Sequence, residues 1–408
     1  MKRMACEKMW TMINVQVIHN EITTCCQRRM DKITPEQLAQ LGPKIFTDQL
    51  QSVRDDRGHF IDQDQLPDAC NVCTETWPNS LWHSWNSWRD REWSDQQLQD
   101  LRTADMVKLI EISLSNSCNQ TCMYCGPNNS SDWAKLLNTK IDDHAQWKTQ
   151  LINSLYQYIE QYLNLRPGEI TYNFLGGEPL LNPEIYDVIQ HITELHHNDC
   201  YHDRQKQFMI TSNLNVKPAL TQRLLSVIDN NSGWDWTVKC SIDAIGARGE
   251  AIRDGLNVDL WRHNFELLLS NPKVTLEILP SVTALSLPEM PELLRWIIDI
   301  VDTHDLLDAY GTRWQFGINV VHSPEAMHPG NLTENWRGCI DQCINKLSRL
   351  PQSRSKDRFV NHLENLRSLI GSRRSQQDQA VMRKWLQWQG QLKHRDYWSL
   401  FPMLHDLC

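Results

Sequence analysis

The stretch VKLIEISLSNSCNQTCMYC, residues 107–125, joins an apolar run to a loop that contains three cysteines. Residues 107–114 are rich in Leu and Ile, a composition typical of a buried strand. Cys118, Cys122 and Cys125 follow with the spacing Cys-x3-Cys-x2-Cys. We therefore predict a strand whose carboxyl end leads directly into a cysteine loop.

Strand-like and helix-like patterns alternate through residues 107–320. Strands are predicted at 107–114, 170–175, 207–211, 236–242, 273–280 and 314–320, and helices near 143–164, 182–196, after 218, 259–270 and 288–302. Six β/α repeats imply a parallel sheet with right-handed crossovers. The predicted fold class is therefore α/β, a partial (β/α)6 TIM-like barrel with a helical C-terminal tail.

Polar motifs stand where several of the predicted strands end. They are Gly176-Gly177-Glu178-Pro179, Thr211-Ser212-Asn213 and Asp243. Ligands of parallel α/β sheets bind beyond the carboxyl ends of the strands. The position of these motifs therefore predicts a ligand site at the strand ends.

The composition is that of an ordinary globular chain of 408 residues, long enough for roughly two to three domains. Its formal net charge of −9, without a run of Lys and Arg, argues against a nucleic-acid partner. No run of about 18 apolar residues is present, so no membrane span is expected. The first residues also lack the apolar segment of a signal peptide. We expect a cytoplasmic protein.

Thirteen cysteines in a reducing compartment indicate metal ligands or catalytic groups more often than disulfides. Three closely spaced thiolates can bind an iron–sulfur cubane and leave one iron without a protein ligand. That iron can chelate the amino and carboxylate groups of a methionine moiety, which places a sulfonium beside the cluster. One electron would then break the sulfur–C5′ bond and release a 5′-deoxyadenosyl radical. The alternatives are a zinc loop that takes a fourth ligand from elsewhere and a fortuitous triplet of cysteines without a shared ligand.

Six phrases resemble, in order and spacing, the radical S-adenosylmethionine (SAM) superfamily and particularly its twitch-domain-containing proteins. They are CNQTCMYCGP (118–127), SDWAK (131–135), LGGEPL (175–180), TSNL (211–214), SID (241–243) and EAIRDG (250–255). The resemblance implies an enzyme that binds SAM and a 4Fe-4S cluster, with Cys118, Cys122 and Cys125 as cluster ligands. Ala244 departs from the pattern, because relatives with auxiliary domains commonly have Gly after Ser-Ile-Asp.

The resemblance also implies which residues contact SAM. Gly176, Gly177 and Glu178 match the motif that hydrogen-bonds the SAM amino group, where glycines allow close backbone approach and a carboxylate suits an ammonium. The alternative for this motif is a tight β–α turn without a ligand.

The other implied SAM contacts lie at later strand ends. Ser212 and Asn213 match positions that face the ribose or the methionine portion. Ser241 and Arg253 match positions that hold the ribose or the carboxylate, for which Arg offers a bidentate pair of donors. Tyr124 stands where the family often has an aromatic side chain near the adenine. A solvated side chain is the alternative for Arg253.

The N-terminal cysteines resemble an auxiliary cluster site. Cys6, one or both of Cys25 and Cys26, and the pair Cys70 and Cys73 would supply its thiolates. Tetrahedral zinc remains an alternative, because four cysteines also suit that ion. A twitch module usually follows the barrel, whereas these cysteines precede it.

The motifs divide the chain into three regions: 1–105 as a cysteine-rich auxiliary region, 106–325 as the barrel, and 326–408 as a helical region. Within the first, residues 10–24 predict a β-hairpin, Thr34-Pro35 predicts a helix start, and the tryptophans of 77–105 predict a packed helix. Within the last, 376–393 is amphipathic. Cys200 and Cys240 are expected to be buried. Cys339 and Cys343 are expected to be buried helix residues, or to share a metal with Cys408 or His405.

Three functions remain open at this point. The first is a radical SAM enzyme acting on a peptide, sugar or small metabolite, with a one-electron donor such as flavodoxin or ferredoxin. The second is an RNA- or nucleoside-modifying enzyme on the same core, and the third is a non-catalytic cluster protein that acts as a redox sensor or adaptor. The SAM-contact motifs argue against the third, and no catalytic base can be named from the sequence.

Overall fold

The computed structural model describes residues 11–24, 33–48, 51, 107–140, 145–164, 168–198 and 204–406. The strands within these residues are β1 Met12–Gln16, β2 Glu21–Thr23, β3 Leu109–Ser113, β4 Thr121–Cys122, β5 Ile170–Leu175, β6 Lys206–Ser212, β7 Asp235–Cys240, β8 Arg253–Asp254, β9 Val274–Ile278, β10 Ser281–Val282, β11 Trp314–Phe316 and β12 Asn319–Val320.

The helices within the same residues begin with α1 Pro35–Leu41, α2 Ser131–Leu136, α3 Ala145–Tyr158, α4 Glu184–Leu195, α5 Pro218–Asn230 and α6 Gly246–Ile252. They continue with α7 Val258–Leu269, α8 Met290–Asp302, α9 Gly338–Lys346, α10 Arg354–Leu369, α11 Gln376–Lys393 and α12 Tyr397–Leu400. A π-helical turn, Ile159–Leu163, continues α3.

Eight strands form one mostly parallel sheet in the order β11-β9-β7-β6-β5-β3-β1-β2. The parallel register places Ile110 of β3 opposite Tyr172 of β5, and Tyr172 opposite Phe208 of β6. Six strands of this sheet alternate with helices along the chain, as parallel pairing requires: β3, β5, β6, β7, β9 and β11. The predicted α/β class with six β/α repeats is confirmed.

The N-terminal hairpin is also confirmed, since β1 pairs antiparallel with β2. Its turn contains Asn20 at φ 53°, a left-handed conformation that Asn tolerates better than most residues. The structure adds a contact that the sequence did not predict: β1 pairs in parallel with β3, with Ile13 opposite Ile110. The hairpin thereby extends the sheet beyond the six repeats.

The predicted start of α1 is confirmed by a capping box at Thr34. The Thr34 hydroxyl accepts a hydrogen bond from the Gln37 N–H at 3.2 Å, and the Gln37 side chain accepts one from the Thr34 N–H at 2.9 Å. The pair satisfies two backbone donors that a helix start otherwise leaves unpaired. α11 begins in the same way at Ser375, and its bounds match the amphipathic segment 376–393.

The last two predicted strands are each shorter in the structure. Within 273–280 only β9 forms, and the short β10 follows Pro280. Residues 314–320 form β11 and, after Gly317, β12. β10 and β12 pair with each other in a separate two-stranded sheet. Proline lacks the N–H that a continuous ladder needs. A Cβ at Gly317 would come within 2.3 Å of the Glu277 carboxylate, so the chain is tightly packed at this break.

The chain divides into two compact units. The first draws its described residues from Met1–Ser117, Lys140–Thr211 and Val227–Trp236. Its core contains an aromatic cluster. The ring centre of Phe208 lies 4.1 Å from that of Trp234, on which it stacks, and 5.8 Å from that of Tyr172. The Tyr172 hydroxyl is hydrogen-bonded to His196 Nε2 at 2.7 Å. This satisfies a polar group in a buried aromatic core.

The second unit comprises Cys118–Thr139, Ser212–Ser226 and Thr237–Cys408. Its core is built on the apolar face of α8 and on a second aromatic set. The ring centre of Trp261 lies 5.0 Å from that of Phe265 and 5.6 Å from that of Trp296. In the part of the chain that the structure describes, no helix has the length and apolar character needed to cross a membrane.

Gly249 in α6 is required by a close backbone approach. A Cβ at this position would lie 2.2 Å from the Ala244 carbonyl oxygen. Because a backbone atom cannot move aside as a side chain can, we predict that Gly249→Ala lowers the free energy of unfolding by about 1–3 kcal/mol. Chemical denaturation measures this change.

The matched control is Gly338→Ala at the start of α9, where a Cβ would meet nothing within 4 Å. Alanine favours a helix, so this variant is expected to be neutral or stabilised by up to about 1 kcal/mol. Equal stability losses in the two variants would contradict the assigned close approach.

Candidate metal and cofactor site

The cysteine loop is held by the N-terminus of α2. The Ser131 hydroxyl bridges the backbone of Cys118, accepting from its N–H and donating to its carbonyl, each at 3.1 Å. Ser130, the N-cap of α2, accepts from the Trp133 N–H and donates to the Gln120 carbonyl at 2.7 Å. The first half of the loop is therefore fixed by two serine hydroxyls, one of which also caps the helix.

The second half of the loop forms a short ladder with β8. Cys122 of β4 is paired antiparallel with Arg253, and the Met123 N–H donates to the Ile252 carbonyl at 2.9 Å. The Trp133 indole N–H donates to the Cys122 carbonyl at 2.9 Å. Backbone and indole groups thus fix the central cysteine from two sides.

All three predicted cluster ligands lie on this loop, and none of them forms a disulfide. Cys122 is buried, whereas Cys118 and Cys125 are partly exposed. Burial raises the pKa of Cys122 to about 12, although the Arg253 guanidinium opposes the shift. Burial also raises the pKa of Cys125. The thiols of Cys122 and Cys125 are therefore protonated near neutral pH, and a metal that binds them must displace their protons.

The donor set fits a cluster better than a single ion. Throughout the described ranges, no three His, Cys, Asp or Glu side chains converge closely enough to hold one metal ion. The three cysteines nevertheless lie within eight residues on one loop. An iron–sulfur cubane holds its thiolates farther apart than tetrahedral zinc does, and zinc would also require a fourth ligand. Three thiols on one loop therefore match a cluster with an open iron.

Asp243 is the polar centre beneath this loop, a role that the sequence did not reveal. Its fully buried carboxylate accepts from Tyr124 Oη at 2.6 Å, from Arg253 Nε and Nη2 at 2.8 and 2.9 Å, and from the Ser281 N–H at 2.7 Å. Its position after β7 in a Ser-Ile-Asp strand end was the available signal. Four charge-assisted hydrogen bonds fully satisfy the buried carboxylate.

Arg253 is buried and paired with Asp243, so the solvated alternative is wrong. Burial opposes its charge, but Asp243 and Tyr124 raise its pKa well above the ordinary value. Its guanidinium also lies 5.7 Å from the centre of the Tyr124 ring. For Tyr124, burial raises the pKa, so this hydroxyl stays a hydrogen-bond donor. The predicted contact of Arg253 with a SAM carboxylate would use the part of the guanidinium outside the Asp243 pair.

Ser212 and Asn213 organise the turn after β6. The Ser212 hydroxyl accepts from the N–H of Leu214, a residue in the left-handed conformation. Asn213 donates to the Asn119 side chain at 3.0 Å, and its amide lies 3.9 Å from Cys118 Sγ. The Ser241 N–H donates to the Ser212 carbonyl at 2.8 Å. The structure therefore brings these three predicted SAM contacts together with the cysteine loop.

The Gly176-Gly177-Glu178 turn lies in the first unit and packs against the chain that leaves β3. Gly176 has φ +124°, and a Cβ on Gly177 would lie 2.3 Å from the Ser117 carbonyl oxygen. The Glu178 N–H donates to that same oxygen at 2.6 Å. The buried Glu178 carboxylate accepts from the Leu180 N–H at 3.1 Å. The glycines are thus needed for a tight turn, and their contact with SAM stays a prediction.

The remaining cysteines divide into two groups. Cys339 and Cys343 are free, buried thiols on α9, as the buried-helix interpretation expected, and Cys240 is buried as well. The predicted ligands of the auxiliary site lie outside the described residues: Cys6, Cys25, Cys26, Cys70 and Cys73. Cys200, Cys408 and the tryptophan-rich segment 77–105 lie outside them as well.

We predict that Asp243→Ala destabilises the second unit strongly, because it leaves the Arg253 charge buried without its partner. Removal of one partner of a buried ion pair costs about 3–5 kcal/mol in unfolding free energy. The control is Asp132→Ala, which removes an exposed pair with Lys135 and should change stability by less than about 1 kcal/mol. Similar losses in the two variants, measured by chemical denaturation, would rule out this central role for Asp243.

No family model matches the chain. The radical SAM cyclopropyl synthase TigE of Paramaledivibacter caminithermalis is 25% identical over 138 residues, which are 33% of this chain and 28% of that protein. The uncharacterized protein MJ0907 of Methanocaldococcus jannaschii is 24% identical over 267 residues, 62% of this chain and 78% of that protein. The chain therefore spans little more than a quarter of the length of TigE.

Among solved structures, anSMEcpe with bound AdoMet has a TM-score of 0.41 at 15% identity, with 63% of this chain and 62% of that chain covered. SuiB of Streptococcus suis has a TM-score of 0.37 at 12% identity, with 83% and 68% covered. Both TM-scores are below 0.5. In sequence, the chain is similar over 138 residues to a radical SAM cyclopropyl synthase.

Proposed function

We propose that this protein is a radical SAM enzyme that cleaves SAM reductively and abstracts hydrogen from an organic substrate. The observation that carries the proposal is the set of three cysteines, none of them in a disulfide, on one anchored loop that contacts the Asp243–Arg253 pair. A protein that only stored a cluster would not need a buried cation, a neutral tyrosine hydroxyl and amide groups around the same loop. The similarity to TigE, itself a synthase, agrees with an enzyme.

When bound, a four-iron cluster with one open iron supplies the electron that breaks a sulfur–carbon bond of SAM. The chain supplies position and charge. The α2 cap and the β4–β8 ladder fix the loop, and Asn213 offers an amide beside Cys118. Arg253 supplies a permanent positive charge suited to the SAM carboxylate.

Tyr124 and Ser241 complete the proposed SAM contacts of the second unit, Tyr124 near the adenine and Ser241 near the ribose. Gly176, Gly177 and Glu178 are proposed to bind the SAM amino group. The substrate is proposed to be a peptide, a sugar or a small metabolite. A flavodoxin- or ferredoxin-type protein would deliver the electron, and the reaction is proposed to take place in the cytoplasm.

We predict that Cys122→Ala abolishes SAM cleavage, because each of the three thiolates is needed to retain the cluster. Anaerobic reconstitution with iron, sulfide, SAM and dithionite, followed by detection of 5′-deoxyadenosine and methionine, measures the activity. Far-UV circular dichroism checks that the fold persists.

The matched control is Cys339→Ala, which removes a buried thiol from α9 and should leave cleavage unchanged. Production of 5′-deoxyadenosine by Cys122→Ala at the parent rate would overturn the cluster assignment. Absence of cleavage in a parent protein that does bind iron would favour the redox sensor or adaptor instead.

The N-terminal cysteines are proposed to bind an auxiliary iron–sulfur cluster in a twitch-like region within residues 1–105. Two four-iron clusters predict about eight irons per reconstituted chain. Combined replacement of Cys70 and Cys73 by Ala should lower this count to about four, since four-iron clusters of this kind are held by cysteine. A parent count near four iron, with zinc lost in the double variant, would establish the zinc alternative.

A further inference from the structure

The C-terminal helix α11 contacts the cysteine loop at its backbone. The Lys393 ammonium donates to the Thr121 carbonyl, and Gln389 Nε2 donates to the Met123 carbonyl at 3.5 Å. These two carbonyls belong to the residues on either side of Cys122. Gln389 is fully buried, so its contact is shielded from water. The last turns of α11 therefore hold the loop on both sides of its central cysteine.

Trp133 extends this contact to Cys122 itself. The Lys393 ammonium lies 4.5 Å from the centre of the Trp133 ring, on which Trp388 of α11 is also stacked at 6.0 Å. The indole N–H of Trp133 is the group that bonds the Cys122 carbonyl. A cation over an aromatic face stabilises both groups when they are shielded from water. Lys393 thereby holds Trp133 in place, and Trp133 in turn holds the backbone of Cys122.

A third contact joins the chain after α11 to β8. Arg395 Nη2 donates to Asp254 Oδ1 at 2.6 Å, and the Thr121 hydroxyl donates to Asp254 Oδ2 at 2.9 Å. Asp254 therefore connects Arg395 to the loop residue whose carbonyl Lys393 holds. Loop, β8 and the end of α11 form one hydrogen-bonded network.

The charge of Lys393 acts on the same thiols. Its partly buried ammonium donates to the carbonyl of Thr121, the residue before Cys122, so its charge lies beside the cysteine loop. A positive charge is felt more strongly when it is shielded from water. The potential of an iron–sulfur cluster depends on the charge and hydrogen bonds around its sulfurs. A cation at this position stabilises an added electron and makes the reduction potential less negative.

From these contacts we propose that Lys393 is a positioning residue for the cluster, which holds the cysteine loop in place and raises the reduction potential of the bound cluster. The proposal rests on the proposed function, because it requires a cluster on Cys118, Cys122 and Cys125. It adds a role for the C-terminal region, from a residue more than 250 positions away from the loop in sequence.

The test compares Lys393→Met with Lys384→Met after anaerobic reconstitution of the full chain. Methionine keeps the length of the side chain but removes its charge, and Lys384 is an exposed lysine on the same helix. To isolate this cluster, all variants carry Cys70→Ala and Cys73→Ala, and iron release to a chelator and the midpoint potential are measured by absorption and EPR. We expect Lys393→Met to release iron several-fold faster and to have a more negative midpoint, while Lys384→Met matches the parent.

A second variant separates contact from charge. Gln389→Met removes the neighbouring contact to the loop but leaves the charge of Lys393, so it should release iron faster with an unchanged midpoint. It also keeps the proposal testable if Lys393→Met does not fold. Faster iron release in Gln389→Met with an unchanged midpoint supports the proposal, whereas parent-like iron release in that variant overturns it.

The remaining outcomes are decisive as well. A parent-like midpoint or iron release in folded Lys393→Met overturns the proposal. A parent that binds no cluster on the loop overturns the proposed function first, so the two failures are distinguishable. A midpoint shift of the same size in Lys384→Met would show a general charge effect and would also overturn the specific role of Lys393.

Discussion

The buried ion pair of Asp243 and Arg253 is the interaction on which the second unit depends. Both side chains are buried, and each charge is tolerated because the other is present and hydrogen-bonded to it. Arg253 is also the backbone partner of Cys122 in the β4–β8 ladder. The pair therefore couples the end of a central strand to the cysteine loop, so the geometry of the loop depends on a buried electrostatic contact.

The loop itself contains little regular structure. β4 and β8 have two residues each, and α2 has six. Short elements of this kind are not stable alone, because they form few hydrogen bonds for each residue that is ordered. Their stability comes from side chains that bond the loop backbone, such as Ser130, Ser131 and the Trp133 indole. The backbone of the loop is therefore fixed mainly by side chains that lie outside the loop.

Hydrogen bonding explains which polar residues around the site serve as scaffold. The side chains of Ser212 and Asn213 accept hydrogen bonds from backbone N–H groups of the turn that contains Leu214. The Glu178 carboxylate accepts one from the turn after β5. Polar side chains at strand ends therefore have two roles in this protein. They satisfy backbone groups that the ending strand leaves open, and Asn213 also presents its amide beside Cys118 of the cysteine loop. One residue can perform both roles because an amide or a carboxylate has several hydrogen-bonding sites.

Local patterns in the sequence determined the repeating architecture. The apolar runs of β3 and β5, the capping box at Thr34 and the amphipathic segment that forms α11 could all be recognised, because each depends on neighbours within one or two turns. The spacing of Cys118, Cys122 and Cys125 likewise indicated three ligands on one loop. The pairing of β1 with β3, the ion pair of Asp243 and the contact of Lys393 with Thr121 could not be predicted. Only the tertiary structure decided these, because a buried charge finds its partner through packing between segments distant in sequence, and no local periodicity records that choice.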